Sequence, residues 1–187
     1  SGILRFCQVL GYKGYKDFRF DMLHYLHQEH VEVNPENLFD ELTSKYLSVI
    51  RQFNNIDQNK LNQLIKQIKN TKNIYIIGVH YSSLPAKHLV LGLQDLGINT
   101  YFAYDYMQAS HLYNTIHEDD LLIYFSIEGN QNNVSRFFDL TNASKNTYII
   151  TLNPKPKLLI ENTLILPGYT LSKQSIVDLQ SIVVIFV

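Results

Sequence analysis

Two short polar stretches hold the residue types best suited to chemistry. Ser126-Ile127-Glu128-Gly129-Asn130-Gln131 follows the apolar run Leu121-Leu122-Ile123-Tyr124-Phe125, and Gly78-Val79-His80-Tyr81-Ser82-Ser83 follows Ile74-Tyr75-Ile76-Ile77. A continuous apolar run of this length predicts a parallel strand buried on both faces. Beyond Gly129 the chain reads as a helix from about Asn132. A strand that ends in a small-residue turn and feeds a helix presents unpaired N–H groups and the positive end of a helix dipole, the usual place for an anion in an α/β protein. Glu128 sets a fixed negative charge in that same loop, and the function of the chain turns on how this conflict is resolved.

Other chemistries find no support in the pattern. Gly78 is not followed by the second glycine of a dinucleotide fingerprint at the right place, there is no Walker loop, and no serine occupies a nucleophile elbow. The lone cysteine, Cys7, excludes an internal disulfide and lies far from both loops in sequence. His24 and His27 stand three apart without a third ligand nearby, so neither a metal nor any other cofactor is predicted. No catalytic residue is assigned. The loops are rich in hydroxyls and amides and poor in paired acids and bases, which favours binding over turnover; serines that merely cap helices are the equally weighted alternative.

The elements that must position these loops alternate along the chain. Strands are predicted at Asn73–Gly78, Asn99–Tyr104, Leu121–Ser126, Thr147–Thr151 and Thr163–Leu166. The helices between them include one capped by Ser82 or Ser83, with Leu84, Leu89, Leu93 and Leu96 on its apolar side and Gly97 at its end. A last helix is expected from about Ser172. Strand and helix at this spacing imply a parallel sheet with helices on both faces. Upstream, Asn34 and Pro35 open a helix to about Phe53 whose wide apolar stripe (Phe39, Leu42, Tyr46, Val49, Ile50, Phe53) suits more than one contact. A second helix runs from about Asp57 to Lys69. Residues 1–30 read as two short helices, the first closed by Gly11. The net charge of −1 gives no global pull toward nucleic acid or membrane, but the first twenty residues carry Arg5, Lys13, Lys16 and Arg19 against Asp17 alone. No apolar run approaches bilayer length, and a cytoplasmic location is expected. The uncapped starts and stops of the pattern read as a fragment, truncated at one end or both.

The two loops resemble the signature loops of the SIS (sugar isomerase) domain, which carries Gly-x-Gly-x-Ser after its first strand and Ser-x-Ser-Gly-x-Thr after its third. Here His80 stands at a glycine position, Glu128 at a serine and Gln131 at a threonine. Arg5-Phe6, followed by Leu10-Gly11-Tyr12-Lys13-Gly14-Tyr15, is similar to the end of the helix-turn-helix domain of RpiR-type transcriptional regulators. The resemblance implies an α/β, SIS-type five-stranded parallel sheet sandwiched by helices and preceded by an α-helical helix-turn-helix remnant. The implied domains are residues 1–30 (DNA-binding), 31–56 (linker helix) and 57–187 (SIS).

It further implies a sugar-phosphate effector, with Ser82, Ser83 and Ser126 as donors and the Gly129 backbone close to the phosphate. The candidate effector residues are His80, Ser82, Ser83, Ser126, Glu128, Gly129, Asn130 and Gln131. The candidate operator-DNA contacts are Ser1, Gly2, Arg5, Lys13 and Lys16, in a homodimer or homotetramer. A charge about 4 Å from a phosphate costs on the order of 4 kcal/mol at intermediate dielectric, roughly three decades of affinity. Two expectations therefore stand side by side. Either the Glu128 carboxylate occupies the phosphate's place, leaving a pocket for an amino sugar or another uncharged or cationic ligand, or it points to solvent and phosphate binds normally. The alternatives of another class are a sugar-phosphate isomerase using Glu128 and His80, and a dimerisation module with a non-binding pocket.

Overall fold

The structure, a computed structural model, describes residues 2–19, 22, 37–129, 146–156, 160–168 and 176–187. The chain divides into two compact units, Ser1–Ser44 and Lys45–Val187, with the boundary inside the segment expected to act as a linker. The predicted helix from Asn132, the start of the last helix and the histidine pair His24/His27 lie outside the described residues.

In the first unit, α1 (Gly2–Val9) ends at Gly11, whose φ of 87° is the left-handed conformation that closes a helix. Gly11 N–H donates to the Gln8 carbonyl at 3.0 Å and Tyr12 N–H to the Cys7 carbonyl at 2.9 Å, the paired bonds of a Schellman cap. Helical spacing puts Ile3, Cys7 and Leu10 on one face, yet Cys7 is fully buried and Ile3 and Leu10 are exposed. A helix of 8 residues with one buried side chain is held chiefly by its cap and by the edge-on rings of Phe6, Tyr12 and Phe18.

The helix α2 (Leu38–Gln52) crosses the boundary between the units. Within the second unit it sets Val49 into the core, with Tyr46 and the following Phe53 packed against it, while Leu47 and Ile50 are exposed. Next comes α3 (Gln58–Asn70), started by Asp57, whose carboxylate accepts from Asn59 N–H at 3.0 Å and Lys60 N–H at 3.1 Å.

The sheet is built from β1 (Ile74–Gly78), β2 (Thr100–Ala103), β3 (Leu121–Phe125), β4 (Asn146–Thr151) and β5 (Thr163–Ile165). All pairs are parallel and the order is β2-β1-β3-β4-β5. The helices α4 (Ser83–Asp95), α5 (Tyr106–Tyr113) and α6 (Ile176–Phe186) complete the layers. Alternation along the strands divides the core. Ile74, Ile76, Leu121, Ile123, Phe125, Tyr148 and Ile150 face Leu64, Val90, Ile182 and Val183 on one side; Tyr75, Ile77, Leu122, Tyr124 and Ile149 face Ala109 and Ile116 on the other. The buried Asp120 carboxylate pins the sheet's lower edge, accepting from Asn73 Nδ2 at 3.0 Å and from His117 N–H at 2.8 Å. Among the described residues no helix is long and apolar enough to cross a membrane.

The face that α4 buries differs from the predicted leucine stripe. Leu84 and Leu96 are exposed, and Pro85, Ala86, Val90 and Leu93 are buried instead. Small residues win at the helix start because the end of β1 comes too close for anything larger. A Cβ on Gly78 would overlap the Ser82 carbonyl and lie 2.7 Å from the Ala86 Cβ. Gly78→Ala should therefore cost about 3 kcal/mol of stability by overpacking, whereas Gly92→Ala, in the open middle of α4, should add up to about 1 kcal/mol. Urea denaturation of the two variants measures both; equal midpoints would contradict the packing argument.

Candidate functional site

The order reverses between β1 and β3, so the crevice of the sheet opens past the C-terminal ends of these two strands. The residues there are those of the two polar loops. After β1, a 3-10 turn over His80–Ser82 runs directly into α4. His80 has φ 54°, the one left-handed non-glycine among the described residues, at the position where the SIS pattern carries glycine. Neither serine caps α4 through its side chain. Ser83 Oγ donates back to the His80 carbonyl at 2.6 Å, so its proton is committed within its own turn. Ser82 is buried, and its Oγ accepts from the Ile127 N–H at 3.2 Å, joining the β1 loop to the β3 loop.

After β3 the chain makes a turn over residues 126–129, closed by Gly129 N–H donating to the Ser126 carbonyl at 3.0 Å. Ser126 N–H donates to Ile150 at 2.9 Å. The Ile127 carbonyl accepts twice, from Leu152 N–H at 3.1 Å and from Thr151 Oγ1 at 3.3 Å. The Glu128 carbonyl accepts from Asn153 Nδ2 at 2.8 Å. Among the described residues three donors of these loops are then left without an acceptor: the Glu128 N–H, the Ser126 hydroxyl and the Ser82 hydroxyl. Ser82 and Ser126 are buried residues, and donors with no acceptor among the described residues are open to a ligand or water.

Glu128 itself is exposed, so its main chain belongs to the loop's hydrogen-bonding frame while its side chain reaches solvent. Gly129 has a structural reason for being glycine: φ is 60°, and a Cβ would lie 2.8 Å from the Pro156 Cβ and 3.2 Å from Thr151 Oγ1. Asn130 and Gln131 lie outside the described residues, as does Ser1. Gly2, Arg5, Lys13 and Lys16 are exposed in the first unit. Thr151 and Asn153 follow from the fourth predicted strand into the polar run Thr151-Leu152-Asn153 at the same edge of the sheet; nothing in that run marked them as the residues that hold the β3 turn. Burial pushes up the hydroxyl of Tyr124, with Tyr106 adding to the shift, so this tyrosine beneath the crevice is no proton donor or acceptor near neutrality. Among the described residues no group of three His, Cys, Asp or Glu could hold a metal. A separate cavity of about 300 Å³ lies past β4 and β5, lined by Gln52, Asn55, Leu152, Ile165 and Pro167 among others.

A helix-turn-helix transcriptional regulator from Providencia stuartii, itself uncharacterised, is 25% identical over 181 residues, covering 90% of this chain; the chain spans 64% of that relative's length. The sugar isomerase domain of an RpiR transcription factor from Sphaerobacter thermophilus superposes with a TM-score of 0.64 at 14% identity, over 80% of this chain and 89% of that one. The second unit has the SIS fold. Vibrio vulnificus NanR, in complex with ManNAc-6P, matches with a TM-score of 0.61 at 20% identity over 98% of this chain and 72% of its own. A hypothetical protein from Methanococcus jannaschii, whose structure infers a 3-hexulose-6-phosphate isomerase function, matches with a TM-score of 0.54 at 22% identity over 79% of this chain and 87% of that one. No family model matches the chain.

An L-residue held at left-handed φ costs about 1–2 kcal/mol, and a glycine returns part of this through its freer unfolded chain. His80→Gly should accordingly raise stability by up to about 1 kcal/mol, and His80→Val should lower it by about 1 kcal/mol or more. Thermal unfolding of both variants checks the sign; a loss of stability in His80→Gly would contradict the observed backbone geometry.

Proposed function

We propose that this chain belongs to a DNA-binding transcriptional regulator of carbohydrate metabolism, in which the crevice between β1 and β3 senses a sugar phosphate. The observation that carries the reading is that three donors with no acceptor among the described residues, Glu128 N–H, Ser126 Oγ and Ser82 Oγ, belong to the two loops at the switch point of a SIS fold. Donors without acceptors suit a phosphate, which offers only acceptor oxygens near neutral pH. The crevice recognises the ligand and leaves it unchanged, because hydroxyls and one amide bind an anion without supplying the acid–base pair that aldose–ketose exchange requires. The first unit contributes Arg5, Lys13 and Lys16, exposed around a capped helix, to phosphates of the operator. The exposed Leu47 and Ile50 support pairing of two copies along α2, and a symmetric dimer reads a near-palindromic site.

Glu128 tunes this site by charge. With its carboxylate in solvent, the repulsion it exerts on a bound phosphate is screened to a fraction of the contact value. Isothermal titration with ManNAc-6P, arabinose 5-phosphate and the corresponding unphosphorylated sugars tests the reading: one phosphosugar should bind and its unphosphorylated form should not. Glu128→Gln should tighten binding by about three- to tenfold at low salt, with the gain shrinking as salt is added. Absence of binding by every phosphosugar would leave the crevice to another ligand. Steady turnover of fructose 6-phosphate or arabinose 5-phosphate would replace the regulator by an isomerase.

A further inference from the structure

The main-chain donor of the proposed phosphate site owes its direction to a residue on the neighbouring strand. The peptide between Ile127 and Glu128 is trans, so its C=O and N–H point opposite ways. Its carbonyl is held from the β4 side by Leu152 N–H at 3.1 Å and by Thr151 Oγ1 at 3.3 Å. The Glu128 N–H therefore faces away from β4, and because β3 lies between β4 and β1, that direction is the crevice.

Thr151 is fully buried, and both capacities of its hydroxyl are fixed. It accepts from Asn153 N–H at 3.1 Å, which leaves its single proton for the Ile127 carbonyl. Asn153 extends the grip to the next peptide: Nδ2 donates to the Glu128 carbonyl at 2.8 Å while Oδ1 accepts from Lys155 N–H at 2.9 Å. One bond from Leu152 would leave the peptide free to swing about it; the second, from Thr151, removes that freedom.

We propose that Thr151 is a positioning residue for phosphate recognition, orienting the Ile127–Glu128 peptide so that the Glu128 amide donates into the crevice, with Asn153 as its support. This rests on the reading of the crevice as a phosphate site. Thr151 touches no ligand; it acts through the peptide it holds.

The test is an amide ¹H–¹⁵N titration of the full chain with inorganic phosphate, following the Glu128 resonance. In the wild type this resonance moves on addition of phosphate. Thr151→Val keeps the shape and removes the hydroxyl; the fitted affinity should fall about fivefold and the Glu128 response shrink, and Thr151→Ser should recover affinity to within about twofold. Asn153→Asp, at a half-buried position, replaces the donor to Glu128 by an acceptor and should weaken binding in the same direction even if Thr151→Val fails to fold. Affinity and Glu128 shifts unchanged in Thr151→Val or in Asn153→Asp would overturn the inference and leave the phosphate reading standing. A wild-type Glu128 resonance indifferent to phosphate would overturn both.

Discussion

The backbone of Ile127 is held from two sides, and the arrangement of the crevice follows from that. Its N–H reaches the buried Ser82 hydroxyl after β1, and its carbonyl is gripped by Leu152 and Thr151 after β4. Three strand ends are thus joined through one residue. Its side chain is buried in the larger core cluster, so hydrophobic packing and hydrogen bonding fix the same point. A turn anchored this way has few ways to move, and the groups it leaves unpaired point in set directions. Preorganised donors of this kind bind an anion without first paying to order themselves.

The proposed site reconciles Glu128 with a phosphate by separating its main chain from its side chain. The carbonyl is tied to Asn153 and the residue is exposed, while its N–H is proposed to face the crevice. A charge in solvent repels a neighbouring phosphate far less than one buried beside it, because the high dielectric of water weakens the Coulomb interaction. In the proposed site the same residue would supply a donor and a tunable penalty. His80 shows a comparable division: its backbone takes a left-handed conformation within the turn, while the residue as a whole is exposed.

Much of the fold was legible because its signals are local. The strand Leu121–Phe125 is apolar on both faces, Gly11 closes α1, and Asp57 starts α3, each for a reason carried within a few residues. The buried face of α4 was misjudged because large leucines outweighed Pro85 and Ala86 in the pattern. The deciding fact, the contact between Gly78 and the start of that helix, links residues that only the fold brings together. The two loops of the candidate site could be found from their hydroxyls and glycines, but the role of each hydroxyl could not. Ser82 and Ser83 are adjacent and chemically identical, yet one reaches across to β3 and the other folds back on His80. Thr151 and Asn153 stood in sequence as part of a polar loop after the fourth strand, but their roles did not show, because their partners lie more than twenty residues away in the loop after β3.

The proposed function places a phosphate at the β1/β3 switch point, read by main chain and hydroxyls together. A crystal structure of the chain soaked with a phosphosugar tests it most directly. The account requires phosphate oxygens within hydrogen-bond distance of the Glu128 N–H and Ser126 Oγ, with the Glu128 side chain turned to solvent. A phosphosugar lodged instead in the cavity beside Gln52 and Pro167, with the Ser126–Gly129 turn untouched, would contradict it.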